Sequence, residues 1–337
     1  MRRLCISAAI VAASLAAGSV ALAQPAPQKA PIKTGLTPQD WAYQMADGVT
    51  AREVMYYSDG VACYAKLFFP KGFSVDKKIP GVVLGQGWAG YHNSIERYGA
   101  RFAERGLVAM VIDYRGWGGS DGFPTVTDRL KNDDAVRYTR TKANVVIKRT
   151  RLLPMKQVED YRNAISYLQG EPGVDPERIG SWGASFAGGH VVTVAGVDAR
   201  AKVIGAQCPG GNNRQPAPLQ LEGELLADAI KRARTGQGGE IETGFSIRRM
   251  VDVETNQAVR EYYPFYHTKF LGERPILMIV AAQEELGGNV ASRAAFANIT
   301  GPKEWIEVPD TTHIQMYIAE AFEISSNSAA DWFNRHL

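Results

Sequence analysis

The sequence predicts an α/β fold in which a mostly parallel sheet carries helices on both faces. Two observations lead there. Short continuous apolar runs bounded by Gly or Pro, such as Pro80–Gly85 and Leu107–Tyr114, have the pattern of strands buried on both sides. They alternate along the chain with stretches of helical spacing, and that order is the signature of parallel strands joined by crossover helices. With 337 residues that are 45% hydrophobic and 22% charged, the chain holds enough apolar side chains for a sizeable core, which excludes wholesale disorder and a polytopic membrane protein.

In order, Arg52–Tyr57 and Val61–Phe69 flank the turn signal Ser58-Asp59-Gly60 and read as an antiparallel hairpin. Pro80–Gly85 and Leu107–Tyr114 follow as strands, with Ile95–Glu104 as the helix between them. Val158, Tyr161, Ile165 and Leu168 recur at helical spacing, and Gly170 to Asp175 ends that helix before the strand Arg178–Gly183. Further strands are expected at Ala201–Cys208, Pro275–Ala281 and Trp305–Val308, then a terminal helix from about Ile318 to Leu337. Two inserts interrupt this alternation, at about 122–154 and 209–270. The second holds a helical stretch, Leu219–Arg234, and a Gly-rich loop, Thr235–Gly244. Both begin at carboxyl ends of strands, where inserts overhang the site of an open α/β sheet, so both are cap candidates.

Residues 1–23 read as a cleaved secretory signal: Arg2 and Arg3 supply a positive start, Ile6 to Val20 an apolar run, and Ala21-Leu22-Ala23 the small-residue cleavage site. Residues 24–35 form a Pro-rich linker and 36–337 the folded domain, so a periplasmic or secreted protein with no membrane attachment after cleavage is expected. Loss of the two arginines takes the formal charge from +3 to +1, and no block of one sign tracks a phosphate backbone, which argues against a nucleic-acid partner. Of the cysteines left after cleavage, Cys63 falls in an early strand and Cys208 at the end of a distant one. Each reads as a small buried hydrophobe and not as half of a disulfide.

The chemistry gathers at Ser185. A strand, one sharp turn and a helix expose the middle residue above the sheet, and the small neighbours in Gly183-Ala184-Ser185-Phe186-Ala187-Gly188-Gly189 permit such a turn. A serine needs a base, and among five histidines His313 follows the last core strand through Pro309-Asp310-Thr311-Thr312, from where it reaches the same sheet edge. His190, on the nucleophile's own helix, reads as packed; His92 and His267 are pocket candidates. An acid must hold the imidazole. Glu284 is the first choice and Glu285 the alternative, both at the carboxyl end of Pro275–Ala281. The oxyanion requires two N–H donors, which Phe186 at the helix start and Trp88 in Gly85-Gln86-Gly87-Trp88-Ala89-Gly90 would supply.

With these residues placed, the chain from about Glu53 to Leu337 resembles the α/β-hydrolase fold superfamily, particularly its dienelactone-hydrolase-like and X-prolyl-dipeptidyl-peptidase-like serine esterases. Asp113-Tyr114-Arg115-Gly116-Trp117-Gly118-Gly119-Ser120-Asp121-Gly122 looks like the family's loop after its fourth strand, Gly170 to Gly180 like its approach to the nucleophile, and the order Ser185, Glu284, His313 is the family order. The resemblance implies an eight-stranded, mostly parallel sheet with a small partial cap. Gln86 stands where a histidine is common and Ala187 where the turn usually has glycine. Dienelactone hydrolase proper uses a cysteine nucleophile, so that activity is not implied.

The implied activity is hydrolysis of a small-molecule carboxylic ester through an acyl-enzyme, with Tyr114, Tyr263 and Tyr266 as substrate-binding residues. No metal or organic cofactor is expected, since His/Cys ligand spacing and a P-loop lysine are both lacking. Two other readings stay open: a peptidase or amidase of the X-prolyl type, and a non-catalytic hydrolase-like binding protein.

Overall fold

The computed structural model describes residue 39 and residues 42–88, 91–128, 140–149, 151–211, 220–236 and 253–337. The leader and linker read at residues 1–35 lie outside them. The first strands, β1 (Thr50–Ser58) and β2 (Val61–Phe69), form the expected antiparallel hairpin, with Ser58 paired to Val61 across the turn. Then come β3 (Ile79–Gly85), α1 (Glu96–Glu104), β4 (Val108–Ile112), α2 (Pro154–Gln169), β7 (Val174–Ala184) and α3 (Phe186–Val197). Between β4 and α2 lies a ribbon, β5 (Phe123–Val126) against β6 (Val145–Lys148). The chain continues through β8 (Val203–Gln207), α4 (Gly223–Thr235), α5 (Val253–Glu261), a 3₁₀ segment Pro264–Phe270, β9 (Ile276–Ala281), α6 (Gly288–Ala297), β10 (Lys303–Val308) and α7 (Ala319–His336).

Eight strands build one sheet in the order β1-β2-β4-β3-β7-β8-β9-β10, antiparallel across β1, β2 and β4 and parallel from β4 to β10. The reason for the continuous apolar runs is visible strand by strand. In β4, Val108, Met110 and Ile112 face one core, while Ala109 and Val111 face the other. β9 repeats this, with Ile276 and Met278 on the first side and Leu277, Ile279 and Ala281 on the second. The first core is closed by Val158, Tyr161 and Ile165 of α2 with Val191 and Val192 of α3; the second by Tyr98 and Phe102 of α1 with Phe322 and Phe333 of α7. At its centre the indole of Trp182 stacks on Tyr98, ring centroids 4.5 Å apart. Each fully buried side chain of this size contributes roughly 1.5–3 kcal/mol by leaving water. Among the described residues no helix is long and apolar enough to cross a membrane.

The two inserts contain more regular structure than the sequence signalled. The β5–β6 ribbon was missed because its strands are four residues long, one holds Pro124, and they pair across a long connection. In the second insert the helix is Gly223–Thr235, and most of the Gly-rich loop lies outside the described residues.

Candidate active site

Strand β7 ends at Ala184 and helix α3 begins at Phe186, so Ser185 alone makes the turn, at φ 58° and ψ −122°. A non-glycine residue there costs of order 1–3 kcal/mol and persists only where its surroundings fix it. They do: the Ser185 N–H donates to the Gln207 carbonyl at 2.8 Å, and its carbonyl accepts the N–H groups of Gly188 and Gly210, both at 2.9 Å. The turn requires Gly183, because a Cβ there would run into the backbone carbonyl of Ala187. Ala187 itself fits with its methyl buried, so the elbow closes without glycine at that position.

The Ser185 hydroxyl lies 2.9 Å from Nε2 of His313, whose Nδ1 lies 2.9 and 3.0 Å from the two carboxylate oxygens of Glu284. Since a carboxylate only accepts, Nδ1 carries the proton and Nε2 turns its lone pair toward Ser185. His313 is buried, on the loop after β10 where Asp310 adopts φ 49°. That loop is pinned to the end of β9 by Ala282 N–H to the Val308 carbonyl (3.0 Å) and Gln283 N–H to the Thr311 carbonyl (2.9 Å). Glu285 does not reach the ring. Its carboxylate accepts the backbone N–H of His313 at 2.6 Å.

On the other side of the serine, β3 runs out through Gln86 and Gly87. A Cβ on Gly87 would lie 2.7 Å from the Ser185 Cβ and 3.1 Å from its Oγ, so only glycine lets this loop pass so close. Trp88 follows, its ring edge-on to Phe186 with centroids 5.1 Å apart. Phe186 opens α3, where a main-chain N–H has no partner within its own helix and the dipole favours negative charge. Residues 89–90 of the loop lie outside the described residues.

The three tyrosines expected to bind substrate are placed differently from one another. Tyr114 is 2% exposed and donates its hydroxyl to the Gln86 carbonyl at 3.1 Å, so it supports the loop that leads to Trp88 and does not line a substrate pocket as expected. Tyr263 and Tyr266, 38% and 51% exposed, line a cavity of about 520 Å³ with Leu153, Met155 and Lys156. None of Ser185, Glu284 and His313 lines that cavity. Their neighbour Tyr262 is the wall between, buried and packed on Phe186 at 5.6 Å.

His190 lies behind the serine, fully buried between the Tyr262 hydroxyl and the Gln157 amide oxygen, each at 2.8 Å. Burial pushes its pKa down to about 3, so the ring is neutral. His92 donates its N–H to Asp113 at 2.7 Å and pairs with it through Nδ1 at 2.5 Å. Partial burial lowers its pKa, but the Asp113 hydrogen bond and the charges of Asp113 and Glu96 outweigh this and raise it overall.

Residues 65–218 match the model of the dienelactone hydrolase family, and the eight-stranded sheet with helices on both faces is that of solved α/β-hydrolases. The chain has the α/β-hydrolase fold, and its residues 65–218 are similar to the dienelactone hydrolase family. The chain is 27% identical over 311 residues to an uncharacterised 31.7 kDa protein of Escherichia coli, spanning 83% of this chain and 97% of that one. It is 25% identical to the quorum-quenching protein AidA of Acinetobacter baumannii (84% and 94% covered) and 22% identical to a thiohydrolase of Aspergillus aculeatus (72% and 81%). A solved structure of a hypothetical protein from Pseudomonas aeruginosa superposes with a TM-score of 0.68 at 22% identity, covering 91% of this chain and all of that one. An α/β-hydrolase from Penicillium superposes at 0.65 and 18% identity, with 85% and 99% covered.

Two features of the site escaped sequence reasoning. Glu285 was read only as an alternative to Glu284, whereas both carboxylates engage His313. Cys208, a free buried thiol, was read as packing. That reading holds, since it is free and buried in the core, and in addition its sulfur, a Glu284 oxygen and a His313 nitrogen lie within 4.8 Å of one another. The signal available was position: Gln207 of β8 pairs with Ile279 of β9, so the residues leaving these two strands meet.

Proposed function

We propose that the protein is a secreted or periplasmic serine hydrolase that cleaves carboxylic esters by two-step acyl transfer. The observation that carries this reading is the unbroken line from the Ser185 hydroxyl through the His313 imidazole to Glu284, with 2.9–3.0 Å at each junction. Ser185 Oγ attacks the ester carbonyl while Nε2 of His313 takes its proton. The main-chain N–H groups of Phe186 and Trp88 receive the oxyanion. As the carbonyl–oxygen bond breaks, His313 returns the proton to the departing alcohol. Water then repeats the sequence on the acyl-enzyme, releasing the acid and restoring the serine. Glu284 fixes the tautomer and stabilises the imidazolium, and Tyr263 and Tyr266 belong to the partial cap that sets substrate choice.

Thioesters form a second substrate class, favoured by relatives named thiohydrolases and acyl or polyketide transferases. The same triad transfers an acyl group from sulfur as from oxygen. The test is labelling by a fluorophosphonate, with Ser185→Ala as control, followed by hydrolysis of p-nitrophenyl esters of graded chain length beside thioester and prolyl-amide substrates. Labelling lost in the variant together with ester or thioester turnover supports the reading. Turnover of amides alone would favour a peptidase, and absence of labelling a binding protein.

A further inference from the structure

The mechanism makes no use of Cys208, yet this residue sits against the triad acid. It leaves β8 at φ 42°, a strained conformation for a residue with a side chain, held by its N–H donating to the Ile279 carbonyl at 2.7 Å. Burial pushes its thiol well above the ordinary range, and the charge of Glu284 pushes it further, so it is protonated in the resting protein. Sulfur, carboxylate oxygen and imidazole nitrogen within 4.8 Å form a donor set suited to zinc. Tetrahedral zinc, with bonds of roughly 2.0–2.3 Å, holds its ligand atoms roughly 3.3–3.8 Å apart. The Glu284–Nδ1 separation of 2.9 Å therefore needs to open by only a few tenths of an ångström while the sulfur draws in.

We propose that Cys208, Glu284 and His313 form an inhibitory site for a soft divalent cation such as Zn²⁺, which silences the base by occupying Nδ1. A neutral imidazole has one proton and one lone pair. Once the metal takes the lone pair at Nδ1, the ring proton resides on Nε2, which can then no longer accept from Ser185. The Cys208 thiol loses its proton to solvent and the ring proton moves from Nδ1 to Nε2, so one proton is released per cation and no atom changes oxidation state. Thiolate and carboxylate together balance the charge of the cation. The inhibitory part rests on the function proposed above; the binding part does not.

The test separates the two. Ser185→Ala protein is titrated with Co²⁺ as a spectroscopic stand-in for zinc: a thiolate-to-cobalt charge-transfer band in the near ultraviolet, saturating at one equivalent with one proton released, is expected. The band should vanish when Cys208→Ala or Cys208→Ser is added; a band that survives both substitutions, or none at all, overturns the site. Zn²⁺ should also inhibit wild-type turnover reversibly to EDTA, with potency rising about tenfold per pH unit as one proton is displaced. Each Cys208 variant, measured against its own uninhibited rate, should need at least about tenfold more Zn²⁺. Equal sensitivity of wild type and both variants would place inhibition elsewhere. If the wild type turned over none of the substrates, the cobalt result would still decide the binding claim.

Discussion

The carboxylate of Glu285 accepts the backbone N–H of His313 at 2.6 Å, while its neighbour Glu284 takes the same residue's ring. Two consecutive acids thus hold one histidine, one by its main chain and one by its side chain. Glu285→Ala should lower kcat/KM about tenfold, the worth of one hydrogen bond, with little change in Tm because the side chain is exposed. Glu285→Gln keeps an acceptor and should recover most of the rate. If Gln is as poor as Ala, charge is what matters and the hydrogen-bond account fails.

Ser185→Ala should reduce ester turnover by several orders of magnitude with the fold intact, because members of a triad act as a unit. Steady-state kinetics beside a circular-dichroism spectrum is the check. A variant retaining more than about a tenth of wild-type activity would mean the nucleophile is another residue.

His190 makes the native state sensitive to acid. An unfolded histidine titrates near 6.5, whereas the buried ring resists protonation until about pH 3. Between those values the unfolded chain binds a proton that the native state refuses, so stability is full above 6.5 and declines as pH falls through this window. From pH 6.5 to 4.5 the loss should be about 2 kcal/mol. Urea midpoints of wild type and His190→Gln, compared at pH 7 and 4.5, should converge at the lower pH; parallel curves would contradict the assignment.

The aromatic run of the second insert divides by exposure. Tyr262 is core, so Tyr262→Ala should cost about 3–5 kcal/mol of stability and depress turnover of every substrate alike. Tyr263→Ala and Tyr266→Ala should leave Tm within a few degrees and change the ratio of kcat/KM between short and long acyl chains. If that ratio is constant in both variants, the 520 Å³ cavity they line takes no part in choosing substrate.

Much of this architecture is legible in the residues. The two-sided burial of β4 and β9 writes itself as unbroken apolar runs, and a lone residue between a strand and a helix, flanked by Gly183 and Ala187, marks the elbow. His313 could be singled out because it lies in the loop after the last core strand, whose carboxyl end shares a sheet edge with Ser185. What stayed hidden depends on contacts distant in sequence. Adjacent acids at a strand end differ only in which way each side chain turns, so the division of work between Glu284 and Glu285 needs the packed loop. The same holds for Cys208, whose proximity to the acid comes from the pairing of β8 with β9, and for Tyr114, whose hydroxyl finds the Gln86 carbonyl only once β3 and β4 lie side by side.

The bond from the Gly210 N–H to the Ser185 carbonyl fastens the root of the second insert to the turn at Ser185 itself. Just beyond, Gly211 lies against the rings of Phe186 and Tyr262, which leaves that stem little freedom. Length changes further along are therefore absorbed before they reach the serine. An exchange of the segment between Gly211 and Tyr262 with that of a related chain, Cys208 to Gly211 and Tyr262 being kept at its two ends, is expected to leave the Ser185 hydroxyl in position.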